Sequence, residues 1–166
     1  MTTLNKKGKL KKKIVEENMM GIDPGTKEMG VTILWNEYDL DKKKEFTNYY
    51  WELLKFKNEK IMEFLENMAH AVDYRCCEYN IDTIIIEKMF MAYNNRNSSL
   101  LNLIPQVIKE IVPEDVKIIE IGSKTVKKKL YGSGNATKEQ VRKEVNKRLG
   151  LKIKDYNISD AFALLL

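Results

Sequence analysis

The sequence is poor in the residues that build transition-metal sites and nucleophile triads. Its 166 residues include one histidine, His70, and two adjacent cysteines, Cys76 and Cys77. A single histidine excludes a histidine-rich metal site and argues against a Ser-His-Asp triad. Adjacent cysteines without metal-ligand spacing around them predict reduced thiols, as in a cytoplasmic protein. Any metal chemistry must therefore use carboxylates, which favours Mg²⁺ or Mn²⁺ over zinc.

Long apolar runs are missing as well. No run approaches the roughly 20 residues of a membrane-spanning helix, and no apolar segment follows the basic N-terminus as it would in a signal peptide. With 43% hydrophobic and 32% charged residues, the composition is that of a globular domain with its own core. We expect one cytoplasmic domain with no membrane partner.

The charge balance is positive and uneven along the chain. A net charge of +5 favours a polyanionic partner such as a nucleic acid. Several lysines precede the first predicted strand, namely Lys6, Lys7, Lys9, Lys11, Lys12 and Lys13. We assign residues 1–17 to a basic N-terminal tail and residues 18–166 to the folded domain. The tail is either solvated and mostly disordered or a basic arm along a phosphate backbone.

A predicted hairpin near the start of the domain carries an acid at its turn. A short apolar run, 19–22, ends in Asp23, and apolar residues resume after a Pro-Gly turn. Pro24 fixes its own φ and Gly25 can adopt a positive φ, as a tight turn requires. The Asp23 carboxylate therefore lies at the end of a core strand. It is either the cap of its own turn or the first ligand of a metal ion.

Two further acids occupy comparable positions. Residues 83–86 form a continuous β-branched run, typical of a central strand buried on both faces, and Glu87 follows. Ser159 is predicted to cap a final apolar helix, 160–166, that starts with Asp160. Clustered carboxylates repel one another unless cations lie between them. Two divalent ions roughly 4 Å apart would satisfy such a cluster and could support phosphodiester hydrolysis.

The remaining elements follow from periodicity and capping residues. The predicted strands are 46–54 and 117–121, and residues 88–97 are predicted to form a loop. The predicted helices are 58–79, 99–112, 123–130 and one from a Thr137/Gln140 capping box to Gly150. In the first helix Cys76 lies on the apolar stripe and His70 lies off it; the second is capped by Ser98 and has a break or kink at Pro105. This order predicts an α/β fold. We expect a mixed five-stranded sheet, three antiparallel strands followed by parallel crossovers, with helices on both faces.

Four segments in this order resemble the signature blocks of a known family. They are GIDPGT at 21–26, IEKMFMAYN at 86–94, GSGNATKEQV at 132–141 and SDAFA at 159–163. In sequence and spacing they are similar to RuvC Holliday junction resolvases, and the small size and the Lys/Asn-rich composition resemble the phage-encoded type. The resemblance runs from Met20 to the C-terminus.

The resemblance implies an RNase H-like fold and a homodimer that nicks opposed strands of branched DNA, such as Holliday junctions and forks, in the cytoplasm of the host cell if the chain is phage-encoded. It implies that Asp23, Glu87 and Asp160 are catalytic metal ligands for Mg²⁺, with Mn²⁺ as a substitute. Lys138, which would be catalytic, and Lys127 match lysines near the scissile phosphate.

The resemblance also implies DNA-binding residues near the junction centre. Phe90 matches an aromatic side chain that wedges into the base stack, and Tyr93 and Arg96 are further candidates beside it. No helix presents a set of base-reading side chains, which predicts selection by branch shape rather than by base sequence.

One position departs from the family pattern. The family usually has a second aspartate one turn before the last one, and Asn157 occupies that position here. An amide oxygen can ligate a metal ion but lacks the charge. We therefore expect a weaker second metal site, unless Asp155 substitutes for it, and an inactivating substitution would also leave an asparagine here.

Basic residues on the last helices and apolar residues on an earlier one are candidate contact surfaces. The basic residues, which either bind phosphates or form plain solvated faces, are Lys124, Lys127, Lys128, Lys129, Arg142, Lys143, Lys147 and Arg148. The apolar residues, which form either the dimer surface or internal core, are Leu100, Leu101, Leu103, Ile104, Val107 and Ile108.

Three functions are compatible with these features. The first is a structure-selective endonuclease that depends on Mg²⁺, and the second is a branched-DNA binding module whose catalysis is weakened or lost because of Asn157. The third is an actin-like ATPase, since Asp-Pro-Gly-Thr also resembles the phosphate loop of that superfamily. ATPases of that type place the nucleotide between two such domains, so a chain of 166 residues argues against the third function.

Overall fold

The computed structural model describes residues 4–9, 17–40, 44–56, 60–88 and 96–166. The described strands are β1 (Leu4–Lys9), β2 (Met19–Asp23), β3 (Glu28–Asp39), β4 (Lys44–Lys55), β5 (Thr83–Lys88) and β6 (Lys117–Gly122). The described helices are α1 (Ile61–Tyr79), α2 (Arg96–Ile111), α3 (Ser123–Tyr131), α4 (Lys138–Leu149) and α5 (Tyr156–Leu165).

The strands form one mixed sheet in the order β1-β4-β3-β2-β5-β6. Strands β1, β4, β3 and β2 pair antiparallel, and β2, β5 and β6 pair parallel. The predicted mixed sheet is therefore confirmed. The strand number is corrected from five to six, because the chain pairs a further strand, β1, along β4.

Helices cover both faces of the sheet, as predicted. Helices α1 and α2 pack on one face together with the inward side chains Met20 and Ile22 of β2. Helices α3, α4 and α5 pack on the other face. Because side chains alternate along a strand, Gly21 and Asp23 of β2 belong to the α5 face. The end of β2 thus delivers an acid to the side of the sheet where the last helix lies.

Strand β1 comes from the segment that the sequence assigned to a tail. Its register with β4 runs from Leu4 opposite Leu53 to Lys9 opposite Asn48. The Lys7 Nζ lies 3.5 Å from a Glu78 carboxylate oxygen and 4.9 Å from the centre of the Tyr79 ring. Residues 4–9 therefore form a strand, in which contacts with α1 and β4 outweigh the weak strand preference of lysine.

Helix α2 differs from its prediction at both its start and its centre. It begins at Arg96 rather than after a Ser98 cap, and it continues through Pro105 without a break. Ile104 and Ile108 on either side of the proline are fully buried, so core packing holds the turn that lacks the proline's N–H. The predicted loop 88–97 lies mostly outside the described residues; its first residue ends β5 and its last two begin α2.

The apolar residues of α2 serve the core more than a surface. Ile104 and Ile108 belong to the hydrophobic cluster between α1, α2 and the sheet, which favours the core alternative for these two residues, whereas Leu103 is 46% exposed.

Among the described helices, none combines the length and the apolar character that a bilayer crossing needs.

Helix α5 begins earlier than predicted. It starts at Tyr156, and its N-cap is Asp155, whose Oδ1 accepts a hydrogen bond of 3.1 Å from the Ile158 N–H. Ser159, the predicted cap, lies inside the helix and donates its hydroxyl to the Tyr156 carbonyl at 2.8 Å. Asp160 therefore lies in the second turn of α5 rather than at its start.

Candidate active site

The parallel pairing of β2 and β5 brings two acids to one edge of the sheet. Ile22 of β2 is in register with Ile86 of β5, so the next residues, Asp23 and Glu87, lie side by side where both strands end. Both strands are apolar up to that point and buried. The acids are held in place by strands that cannot shift without exposing the core.

Helix α5 brings the third acid over the end of these strands. It packs against β2, β3 and β5, and the Asp160 side chain is only 13% exposed. The Lys138 Nζ, from the first residue of α4, lies 3.2 Å from Asp160 Oδ2. Three predicted acids and one predicted lysine, remote from each other in the sequence, thus occupy one region of the fold.

The pKa values show that the three carboxylates interact. Burial, followed by the charges of Asp160 and Glu87, raises the pKa of Asp23 from 3.8 to about 8. Burial and the charge of Asp160 also raise the pKa of Glu87, and burial raises that of Asp160 against the opposing charge of Lys138. Bringing these acids together without a cation is therefore unfavourable, and added positive charge near them is stabilising.

Two lysines supply part of that positive charge. Burial lowers the pKa of Lys138, but the charges of Asp160, Asp23 and Glu87 outweigh burial and raise it. The charge of Lys127, on α3, lowers the pKa of both Glu87 and Asp160. A lysine in the first turn of a helix opposes the helix dipole, so the position of Lys138 carries a local cost that its contact with Asp160 offsets.

Ser123 is a contact that the sequence did not reveal. Its hydroxyl donates a hydrogen bond to the Glu87 carboxylate and so lowers the pKa of that group, in part against burial. Ser123 begins α3 directly after β6, whose last residue, Gly122, is in register with Lys88. In the sequence Ser123 is recognisable only as a serine between a predicted strand and a predicted helix. Its contact with Glu87 could be predicted only if the pairing of β6 with β5 were known.

The chemistry of the donor set fits a hard divalent cation. All three acids offer carboxylate oxygens, the ligands that Mg²⁺ and Mn²⁺ prefer. As the side chains stand, no three His, Cys, Asp or Glu groups in the described part of the chain enclose a point that could hold an ion. The ammonium group of Lys138 lies 3.2 Å from the Oδ2 atom of one of these acids, Asp160.

Comparison with known proteins identifies the family. The family model described as "Crossover junction endodeoxyribonuclease RuvC" matches residues 19–166. The chain belongs to the RuvC family. The match covers β2 to the end of the chain and leaves β1 outside it, and it decides for the resolvase resemblance over the ATPase alternative.

Individual RuvC proteins are similar over nearly their whole length. The RuvC of Sulfurovum sp. (strain NBC37-1) is 33% identical over 153 residues, which covers 90% of this chain and 92% of that protein. The RuvC of Wolinella succinogenes is 32% identical over 152 residues, with 90% and 91% covered. The crossover junction endodeoxyribonuclease name is thus shared by relatives that span the chain.

Solved structures agree on the fold. Thermus thermophilus RuvC has a TM-score of 0.72 at 23% identity, covering 89% of this chain and 90% of that one. The same protein solved in complex with Holliday junction substrate also gives 0.72, at 20% identity. The RNase H-like fold predicted from the sequence is therefore confirmed.

Asn157, the position that departs from the family pattern, lies on α5 because this helix begins at Tyr156 rather than at Asp160 as predicted. Asn157 is partly buried and lies one turn before Asp160. Asp155, considered as a substitute ligand, has one oxygen engaged as the N-cap of α5. Its charge nevertheless contributes to raising the pKa of Asp23 and of Asp160, after larger contributions from burial and nearer groups. Asp155 therefore adds negative charge near the site, although the side chain at position 157 is uncharged.

The predicted DNA-binding residues are placed unevenly. Phe90 and Tyr93 lie outside the described residues, and Arg96 is described only as the first residue of α2. Lys124, Lys127 and Lys128 lie on α3, and no ion pair joins them to an acid within 4.0 Å in the described ranges. Within the described ranges these three candidate lysines thus have no close acidic partner, in contrast to Lys138, which pairs with Asp160.

The basic residues of α4 are in a different situation. They pair with Glu139 and Glu144 along the helix, through Arg142, Lys143, Lys147 and Arg148. Arg142 and Arg148 also donate hydrogen bonds to the backbone carbonyls of Lys154 and Leu130. For these residues of α4 a solvated helix face is therefore favoured over phosphate binding, and α3 remains the better candidate for phosphate contacts.

Proposed function

We propose that this RuvC-family protein is an endonuclease that depends on divalent metal ions and nicks Holliday junctions and other branched DNA by two-metal phosphodiester hydrolysis. The observation that carries the proposal is a region of three partly buried carboxylates beside Lys138. After burial, the charge of Asp160 raises the pKa of both Asp23 and Glu87, and the Lys138 Nζ lies 3.2 Å from Asp160 Oδ2. The similarity to RuvC proteins, one of them solved in complex with a Holliday junction substrate, supports the choice of substrate.

The residues would divide the work as follows. Asp23, Glu87 and Asp160, with the weaker ligand Asn157, would hold the ions, with Mg²⁺ expected and Mn²⁺ as a substitute. Bound divalent ions supply charge that favours attack by water and departure of the leaving oxygen. The Lys138 ammonium would offset charge that develops on the phosphate. The hydroxyl of Ser123 would keep Glu87 ionised and oriented.

The remaining predicted roles concern DNA and assembly. Lysines of α3 would contact phosphates, and Phe90, Tyr93 and Arg96 would lie at the junction centre. Two strands of a junction need two active sites, so we propose a homodimer. Exposed Leu103 on α2 is available to the dimer surface.

The test compares a four-way junction, a fork and a linear duplex, each with Mg²⁺, Mn²⁺ or Ca²⁺. We expect nicking of the two branched DNAs in Mg²⁺ or Mn²⁺ and no nicking of the linear duplex. Failure to nick any branched DNA in either ion would overturn the proposal, as would equal rates on the linear duplex.

The phosphate-contact surface gives a salt-dependence prediction. Changing Lys124, Lys127 and Lys128 together to glutamine should weaken junction binding and lower the slope of log K against log salt by about 3 units, because each lysine that neutralises a phosphate adds close to one unit. The measurement is junction affinity at several salt concentrations with Ca²⁺ or no metal.

The control is the double change Lys143→Gln and Lys147→Gln on α4, where both lysines already pair with glutamates. We expect its slope to change by less than about 1 unit. Equal slopes for the α3 variant and the unmodified protein would refute the assignment of α3 to DNA.

The second candidate function is a branched-DNA binding module with weakened catalysis. It is favoured by the uncharged Asn157 and by the close approach of Lys138 to Asp160. Under the proposed function, Asn157→Asp should lower the Mg²⁺ concentration for half-maximal nicking by about tenfold, equivalent to about 1.4 kcal/mol of binding. The measurement is the nicking rate against Mg²⁺ concentration.

Asn67→Asp is the matched control, since it adds the same charge on α1, across the sheet from α5. The second candidate function would be supported if the unmodified protein binds junctions without nicking them and the Asn157→Asp variant nicks them.

A further inference from the structure

Two glycines lie where α5 crosses the sheet, and both contacts are tight. A methyl group on Gly21 of β2 would lie 2.3 Å from the Ala161 carbonyl oxygen, and one on Gly30 of β3 would lie 2.3 Å from the Asn157 carbonyl oxygen. Ordinary carbon contacts are near 3.5 Å or more. The backbone of α5 therefore rests directly on the backbone of two strands.

Backbone conformation does not require glycine at these two positions. The glycines with positive φ in the described residues are Gly132 and Gly150, and neither lies under α5. Glycine within a strand lowers stability and marks a close approach of another backbone. The reason for Gly21 and Gly30 is thus the space that a side chain would take.

The two contacts bracket the candidate active site. Gly30 is directly opposite Asp23 in the pairing of β2 and β3, and Gly21 lies two residues before Asp23 on the same face. On the helix, Asn157 and Ala161 are one turn apart, with Asp160 between them. The contacts therefore determine the distance between α5 and the sheet at the point where Asp160 approaches Asp23.

We propose that Gly21 and Gly30 are positioning residues that hold α5 close enough to the sheet for Asp160 to share a metal site with Asp23 and Glu87. The shared metal site in this inference rests on the proposed function, whereas the placement of α5 rests on the two backbone contacts. A side chain at either position lifts α5, and Asp160 moves away from the strand ends while the rest of the core stays packed.

The expected effect follows from the distances. Alanine at Gly21 or Gly30 must push α5 outward by about 1 Å to restore ordinary contact. A displacement of that size at a catalytic group costs about 100-fold in rate. Mn²⁺ should bind at least about tenfold more weakly for the same reason, because its ligands no longer converge.

The experiment measures position and metal binding separately. Crystal structures of metal-free Gly21→Ala and Gly30→Ala should show the Asp23–Asp160 Cα separation increased by about 1 Å relative to the unmodified protein. Calorimetric titration with Mn²⁺ should show the weakened affinity, and junction nicking should slow in parallel.

Two controls separate positioning from general damage. Gly8→Ala makes the same change in β1 of the same sheet, where the added methyl group meets the Tyr49 hydroxyl and not α5. Val72→Ala removes buried volume from α1 on the other face. Both should lower the melting temperature and leave Mn²⁺ affinity within about twofold, less than about 0.5 kcal/mol.

An unchanged Asp23–Asp160 separation in the glycine variants would overturn the inference, as would a loss of Mn²⁺ affinity no larger than that of Val72→Ala. A shifted α5 in a protein whose unmodified form nicks no branched DNA would uphold the positioning and count against the nuclease proposal instead.

Discussion

Replacing Asp23 with asparagine should abolish nicking of four-way junctions, with a rate loss of at least about 10³-fold, as is typical for a residue central to catalysis. Asp23 ends the central strand, and the charges of both other acids act on it. An amide removes the charge that a divalent ion needs while keeping the size of the side chain. The measurement is a single-turnover nicking rate in Mg²⁺ and in Mn²⁺.

The matched control is Asp115→Asn, an exposed acid before β6, which should nick at the unmodified rate. Nicking by the Asp23 variant at a rate similar to that of the unmodified protein would remove this site from the mechanism.

The same substitution should stabilise the metal-free protein at pH 8. Burial and neighbouring carboxylates raise the folded-state pKa of Asp23 to about 8 from an ordinary 3.8, so the folded protein holds this proton more tightly than the unfolded chain. Its contribution to the free energy of unfolding is complete below about pH 3.8 and is lost as pH rises toward 8. Asparagine carries no proton to lose, so the variant's advantage in melting temperature should grow from pH 5 to pH 8 in EDTA. A constant difference across that range would contradict the assigned pKa.

Lys138→Met should slow nicking by about 100-fold and at the same time tighten Mn²⁺ binding. The ammonium lies 3.2 Å from Asp160 Oδ2 and competes with a cation for that carboxylate, so its removal favours the ion. The positive charge beside the phosphate is removed in the same step, so the rate falls. The measurements are the Mn²⁺ dissociation constant by calorimetry and the nicking rate at saturating metal.

Lys143→Met is the control, since Lys143 lies on the same helix and is 75% exposed. It should change neither quantity. A Lys138→Met protein with weaker Mn²⁺ binding would show that the lysine supports the ion rather than competing with it.

The sequence predicted those parts of the site that depend on local pattern. Asp23 and Glu87 each follow a short apolar run bounded by polar or turn residues, which is typical of a buried strand, so their places at strand ends were predictable. The sequence predicted parallel crossovers after three antiparallel strands. It did not predict that β2 pairs with β5, since β3, β4 and α1 lie between them in the chain. Asp160 was assigned to the correct helix, but its position in the helix was wrong because Ser159 and Asp155 are both good capping residues by type.

The parts that were missed depend on tertiary contacts. Strand β1 has the sequence LNKKGK, which shows little strand preference and gains its contacts from Trp51 and Tyr79. The contact between Ser123 and Glu87 requires β6 to lie beside β5. The close approach of α5 at Gly21 and Gly30 appears only when helix and sheet are brought together.

Strand β1 also changes what the sheet shows to other molecules. Without it, β4 would be the outermost strand on that side, and unpaired N–H and C=O groups along its middle would form a template for pairing with another chain. In the folded protein β1 pairs with β4 from Asn48 to Leu53, and among the described strands β1 is then the outermost on that side. A short strand rich in lysine is a poor template for aggregation, because charged side chains disfavour edge-to-edge association.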